Sequence, residues 1–161
     1  MRAQQATRGF TLIELMITLG LLAILLTLGL SSSYWSERSR SREAVSQLGA
    51  AYSKARALAV RNPAMVGPGM AAATVCLSGD AIHVHVGLPA DCGIDSLWRA
   101  TLSGGSRTQV FADAATSTDF ACIAVDNRAR IVAANVDDAT CTTASEITVR
   151  HGGWNVEASL I

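Results

Sequence analysis

RGFTLIELMITLGLLAILLTLGL, residues 8–30, is the stretch on which the rest of the chain depends. From Phe10 to Leu30 it runs 21 residues with Glu14 as its only charge. Wound as a helix at about 1.5 Å per residue, it is about 30 Å long, enough to cross the hydrocarbon of a bilayer. A carboxylate inside such a segment costs several kcal/mol unless something pairs with it, so Glu14 marks a functional site by default. Arg2 and Arg8 ahead of the run suggest a secretory signal. The run is longer than a signal core of about 7–15 residues, however, and Leu30-Ser31-Ser32-Ser33 leads into Tyr34-Trp35 with no small-x-small cleavage site.

Composition narrows the classes. The 161 residues carry 13 cationic and 13 acidic side chains, so no strong net field draws nucleic acid or acidic partners. Without the apolar run about 130 residues remain, enough for one domain with a core. Cys76, Cys92, Cys122 and Cys141 all lie in the C-terminal half, with no C-x-x-C pair to suggest zinc or thioredoxin-type chemistry. An even count in an exported domain reads as two disulfides. Three pairings are open; Cys76–Cys92 and Cys122–Cys141 are favoured because each closes a short loop, contributing about 3 kcal/mol apiece. Counting arginines runs against a cytoplasmic leader or is at best neutral, since Arg2 and Arg8 face Arg38, Arg40 and Arg42 across the run. Disulfides need an oxidising compartment, which places the C-terminal part outside the cytoplasm.

Beyond the run, Tyr34-Trp35 suits a membrane interface. Val45, Leu48, Tyr52, Ala55, Leu58 or Ala59, and Asn62 then recur at helical spacing, which predicts an amphipathic continuation of one long helix from Phe10 to about Arg61. Pro63 stops it. Residues 63–72, with Pro63, Gly67, Pro68 and Gly69, form a loop. Alternation follows: 74–77 and 81–86 flank Ser78-Gly79-Asp80 as a hairpin, with short strands at 97–101 and 107–111. Residues 120–125 and 128–132 read as a hairpin turning at Asp126-Asn127. Residues 135–145 read as a polar loop, and 146–150 with 154–160 as a last hairpin around Gly152-Gly153.

Gly9-Phe10-Thr11-Leu12-Ile13-Glu14 resembles the processing site of type IV pilins and type II secretion pseudopilins. The resemblance implies that a prepilin peptidase cuts between Gly9 and Phe10 on the cytoplasmic side, N-methylates Phe10 and leaves the helix attached. Residues 1–9 are then the leader, 10–30 the transmembrane and fibre-core helix, 31–62 its amphipathic continuation, and 63–161 a β-rich head with two disulfides. The implied fold class is α+β, a long helix packed on an antiparallel sheet. Glu14 would neutralise the new amine of a neighbouring subunit, a pair that is strong where the local dielectric is low.

The stretch Ala55-Arg56-Ala57-Leu58-Ala59-Val60-Arg61-Asn62, with Asp126-Asn127-Arg128 and Gly152-Gly153-Trp154 at later turns, is similar to the GspH and FimT type of pseudopilin and minor pilin. The cysteine layout is nearest the FimU-like members. This implies a minor pilin that primes pilus assembly near the tip. The alternatives are a GspH-like pseudopilin and a FimT-like DNA-capturing pilin. The implied partners are prepilin peptidase, other minor pilins and the major pilin (or pseudopilins), and an inner-membrane assembly platform. The chain would sit in the inner membrane with its head in the periplasm, then in a pilus or pseudopilus. DNA capture needs several cations tracking phosphates; here Arg150 and His151 stand alone near a tail ending neutral to acidic, with Arg128 and Arg130 adding little.

No catalytic constellation is legible. There is no nucleophile elbow or phosphate-binding loop. His83 and His85 share a strand face, expected to meet solvent, and lack a third ligand. Asp137-Asp138 is expected to be a solvated turn. The expectation is a non-enzymatic subunit with no metal and no cofactor.

Overall fold

The computed structural model describes residues 10–113, 115 and 118–160; the side chains of 29–34 fall outside that description, as do the leader residues 1–9. Helix α1 covers Leu12–Arg61. It ends where the sequence supplies a stop. Arg61 sits in the last turn, favourable to the helix dipole. Asn62 adopts the left-handed conformation (φ 47°), and its N–H reaches the carbonyls of Leu58 and Ala59, both at 3.0 Å. Its side chain then clamps the next loop: Oδ1 accepts from the Val66 N–H and Nδ2 donates to the Val66 carbonyl, each at 3.0 Å.

The chain forms two compact units, divided between Ser36 and Glu37. In the first, every Leu, Ile and Met from Leu12 to Leu28 is more than half exposed. Among the described residues no helix is long and apolar enough to cross a membrane; the described side chains stop at Leu28, short of the run's end at Leu30.

In the second unit α1 buries a narrow stripe, Ala44, Leu48, Ala51, Ala55 and Ala59, flanked by Tyr52. The stripe is rotated from the expected one: Val45 and Leu58 are only partly buried. Alanine is weakly apolar, so periodicity alone does not single out Ala44 and Ala51 as core residues. Its small side chain is what lets a helix lie close to a sheet.

That stripe shares one core with two sheets. The first is built from β1 (Ala73–Ser78), β2 (Ala81–Val86), β3 (Trp98–Thr101), β6 (Cys122–Val125) and β7 (Ile131–Val132), in the order β3-β2-β1-β6-β7. The second joins β4 (Thr108–Asp113), β5 (Thr118–Asp119), β10 (Glu146–His151) and β11 (Trp154–Ser159), in the order β11-β10-β4-β5. All described pairings are antiparallel. The fold class is α+β, a long N-terminal helix followed by antiparallel sheet, consistent with the pilin fold.

Alternation sorts the first sheet's residues. Val75, Ile82, Val84, Ile123 and Val125 face the shared core, while Cys76, Cys122 and Ala124 enter a second cluster on the opposite face. Both faces of β1, β2 and β6 are therefore covered.

Three local expectations are corrected. The first hairpin turns on Gly79-Asp80, because Ser78 pairs with Ala81. The Asp126-Asn127 turn is longer than two residues: Val125 pairs with Ile131, and 126–130 form the connection. The loop 135–145 contains a small hairpin of β8 (Asn135–Val136) and β9 (Ala139–Thr140), turning on Asp137 (φ 50°) and Asp138 (φ 61°). Aspartate tolerates that left-handed geometry better than most residues.

Gly104 is required where it stands. Its φ is 96°, and a Cβ there would lie 2.4 Å from His151 Cε1. It lets a tight turn close over His151. The Thr108 hydroxyl donates to the Ser103 carbonyl at 2.6 Å, so the His151 Nδ1–H donates to Thr108 Oγ1 at 2.9 Å.

Candidate functional site

The N-terminal end of α1 carries the chain's first candidate. Thr11 stands just before the helix, and Glu14 lies in its first turn. The Thr11 N–H donates to Glu14 Oε2 at 3.2 Å, and the Thr11 hydroxyl donates to the same oxygen at 3.1 Å. The Glu14 N–H in turn lies 3.3 Å from Thr11 Oγ1. Thr-x-x-Glu is a capping box, which satisfies orphan donors of the first turn and places an anion at the positive end of the helix dipole. The Thr11-x-x-Glu14 pattern is local and visible in the sequence. Both bonds fall on Oε2 and the residue is exposed, so Glu14 keeps access for a cation. Phe10 is 83% exposed just ahead of it. Gly9, the other half of the expected cleavage site, lies outside the described residues. Trp35 is exposed; the Tyr34 side chain also lies outside the description.

The head's second candidate is the outer face of the first sheet. Disulfides join Cys76 to Cys92 and Cys122 to Cys141. Cys76 and Cys122 are cross-strand partners on β1 and β6, so the two bonds stand side by side. Each ties a long connection down over the sheet. The Thr74 hydroxyl, donating to the Gly87 carbonyl at 2.7 Å, pins the start of the first connection.

This covering overturns the solvent-facing reading of the histidines. His83 and His85 are each only 3% exposed, with rings 6.1 Å apart and nearly parallel. His85 lies 3.0 Å from the Cys92 carbonyl through Nε2. A carbonyl can only accept, so Nε2 carries the proton. His83 Nδ1 is buried and without a hydrogen-bond partner. Burial, followed by the proximity of Arg99 and His85, holds the His83 pKa below its ordinary value.

Asp126 organises the hairpin between β6 and β7. Its Oδ1 accepts from the N–H groups of Arg128 and Arg130, both at 2.9 Å. Its Oδ2 accepts from Arg130 Nε at 3.1 Å and Nη2 at 2.9 Å. Burial pushes this carboxyl up, but the hydrogen bonds from Arg130 and Arg128 outweigh it and hold the pKa at about 2. Asn127 Nδ2 donates to the Val66 carbonyl at 3.2 Å, fastening this turn to the loop after α1.

Of the cations considered for DNA, Arg130, Arg150 and His151 have partners within the head, and Arg128 is exposed. Arg130 is committed to Asp126. Arg150 Nε donates to Asn155 Oδ1 at 3.0 Å, with its guanidinium 4.8 Å from the Phe111 ring centre. His151 is buried.

Against known families, residues 5–30 match the family described as the prokaryotic N-terminal methylation motif. The N-terminal segment is type IV pilin-like. The matched segment contains Gly9, Phe10, Thr11 and Glu14 together with the apolar run. In a pilin-like protein this motif implies processing by prepilin peptidase, a membrane-anchored N-terminus, and assembly with other pilins into a pilus or pseudopilus. Such proteins are generally structural rather than enzymatic. No curated protein and no solved structure matches the chain.

Proposed function

We propose that the protein is a minor pilin of a type IV pilus, a structural subunit that primes assembly and resides at or near the tip. One observation carries this reading: the methylation-motif segment presents an exposed, predominantly apolar surface from Leu12 to Leu28 whose only charge is Glu14. So large an apolar surface needs lipid or other helices around it. Before assembly the bacterial inner membrane supplies that cover, with the head in the periplasm; afterwards neighbouring subunits supply it. Cleavage between Gly9 and Phe10 creates an amine beside an apolar helix, and Glu14 of an adjacent subunit neutralises it. The same features serve a pseudopilin of type II secretion, which differs in the machine it joins rather than in its chemistry.

The test is expression of the full chain with and without a prepilin peptidase, read by intact mass. With the enzyme, residues 1–9 should be lost and one methyl gained at Phe10; Gly9→Ala should block both changes. A chain that still begins at Met1 in the presence of active peptidase contradicts the proposal.

A further inference from the structure

The cluster under the loop between β2 and β3 has no part in the assembly reading. Cys76 and His85 project from adjacent strands of the first sheet, and Cys92 reaches down from the loop above them. The two sulfurs and a ring nitrogen of His85 all lie within 4.8 Å of one another, and all three residues are buried. The sequence offered His83 and His85 as a pair without a third ligand; the fold supplies two sulfurs beside them.

We infer that the reduced form of this head holds one soft divalent cation, such as zinc, through the thiolates of Cys76 and Cys92 and the imidazole of His85. Two thiolates with one or two imidazoles are a donor set that suits tetrahedral zinc or cobalt. Metal-binding histidines commonly donate their other N–H to a carbonyl, and the His85 Nε2–H donates to the Cys92 carbonyl, leaving the lone pair on Nδ1. His83 adds a second buried imidazole beside it, with Nδ1 lacking a partner. In the oxidised head the sulfurs are bonded to each other, and the site is closed to metal. Opening it requires two electrons: the disulfide, a phosphine and water give two thiols and a phosphine oxide. Cation binding then displaces the two thiol protons to solvent.

The measurement uses the full chain in detergent, carrying Cys122→Ser and Cys141→Ser so that only one pair of sulfurs remains. After phosphine reduction and removal of excess reductant, cobalt(II) is titrated in. The expected result is one cobalt per chain with a near-ultraviolet thiolate-to-metal band, displaced by zinc. The unreduced chain should give no band. Adding Cys92→Ser should diminish or abolish the band, and His85→Ala should weaken binding by about tenfold or more. Circular dichroism monitors folding throughout. A reduced chain that shows no thiolate band, folded or not, overturns the inference. So does a band that Cys92→Ser and His85→Ala both leave unchanged.

Discussion

The two stretches of α1 share one secondary structure and put it to opposite uses. From Leu12 to Leu28 leucine and isoleucine cover every side and all remain exposed. From Ser41 to Ala59 the apolar positions shrink to a stripe, mostly alanine, and that stripe is buried against the sheets. The lesson is that helix packing follows which faces are apolar rather than how apolar the helix is. A stretch apolar all round needs an apolar surrounding, whereas a small-residue stripe needs one close neighbour.

The comparison can be broken most forcefully at one leucine in each stretch. Leu48 is 2% exposed, and Leu48→Ala should lower head stability by about 2–5 kcal/mol in thermal or denaturant unfolding of the chain in detergent. Leu22→Ala, at a position 56% exposed, should leave the same transition unmoved. Equal losses would mean that the first stretch is packed in the isolated chain.

Alanines sharpen it further. Ala55 is fully buried and Ala50 is exposed one turn away. Overpacking by Ala55→Leu should cost about 1–3 kcal/mol, whereas Ala50→Leu should stay within about 0.5 kcal/mol of wild type. Parity between them would contradict the close helix–sheet approach.

Within the head, one buried carboxylate makes stability depend on pH. The carboxyl of Asp126 is depressed from 3.8 to about 2 in the folded chain. Its stabilisation is therefore complete above 3.8 and is lost as pH falls toward 2. Asp126→Ala should flatten that acid limb. At neutral pH it should cost about 1–3 kcal/mol, because the Arg128 and Arg130 N–H groups lose their acceptor. An unchanged acid limb would remove Asp126 from the account.

Much of the fold was readable from the chain because periodicity and stop signals agreed. Pro63 and Asn62 mark the helix end, and alternation marks β1, β2, β10 and β11. What was missed depended on contacts distant in sequence. The burial of His83 and His85 comes from the loop that Cys92 ties over them, which no strand pattern encodes. The length of the turn at Asp126 follows from one carboxylate capping two N–H groups at once. The hairpin at 135–140 has strands of two residues, too short for alternation to register. The capping box is the exception: it is local and visible in Thr11-Leu12-Ile13-Glu14.

That box also isolates the central claim, that Glu14 serves a neighbour's amine beyond capping its own helix. Incorporation into filaments should be compared for Glu14→Ala and Thr11→Val, both in chains shown by mass to be processed. Removing one partner of a buried ion pair costs about 3–5 kcal/mol, whereas losing a cap costs about 0.5–2 kcal/mol. Glu14→Ala should therefore remain in the membrane and all but vanish from filaments, while Thr11→Val assembles close to wild type. Equal incorporation of the two variants, or wild-type incorporation of Glu14→Ala, would contradict it.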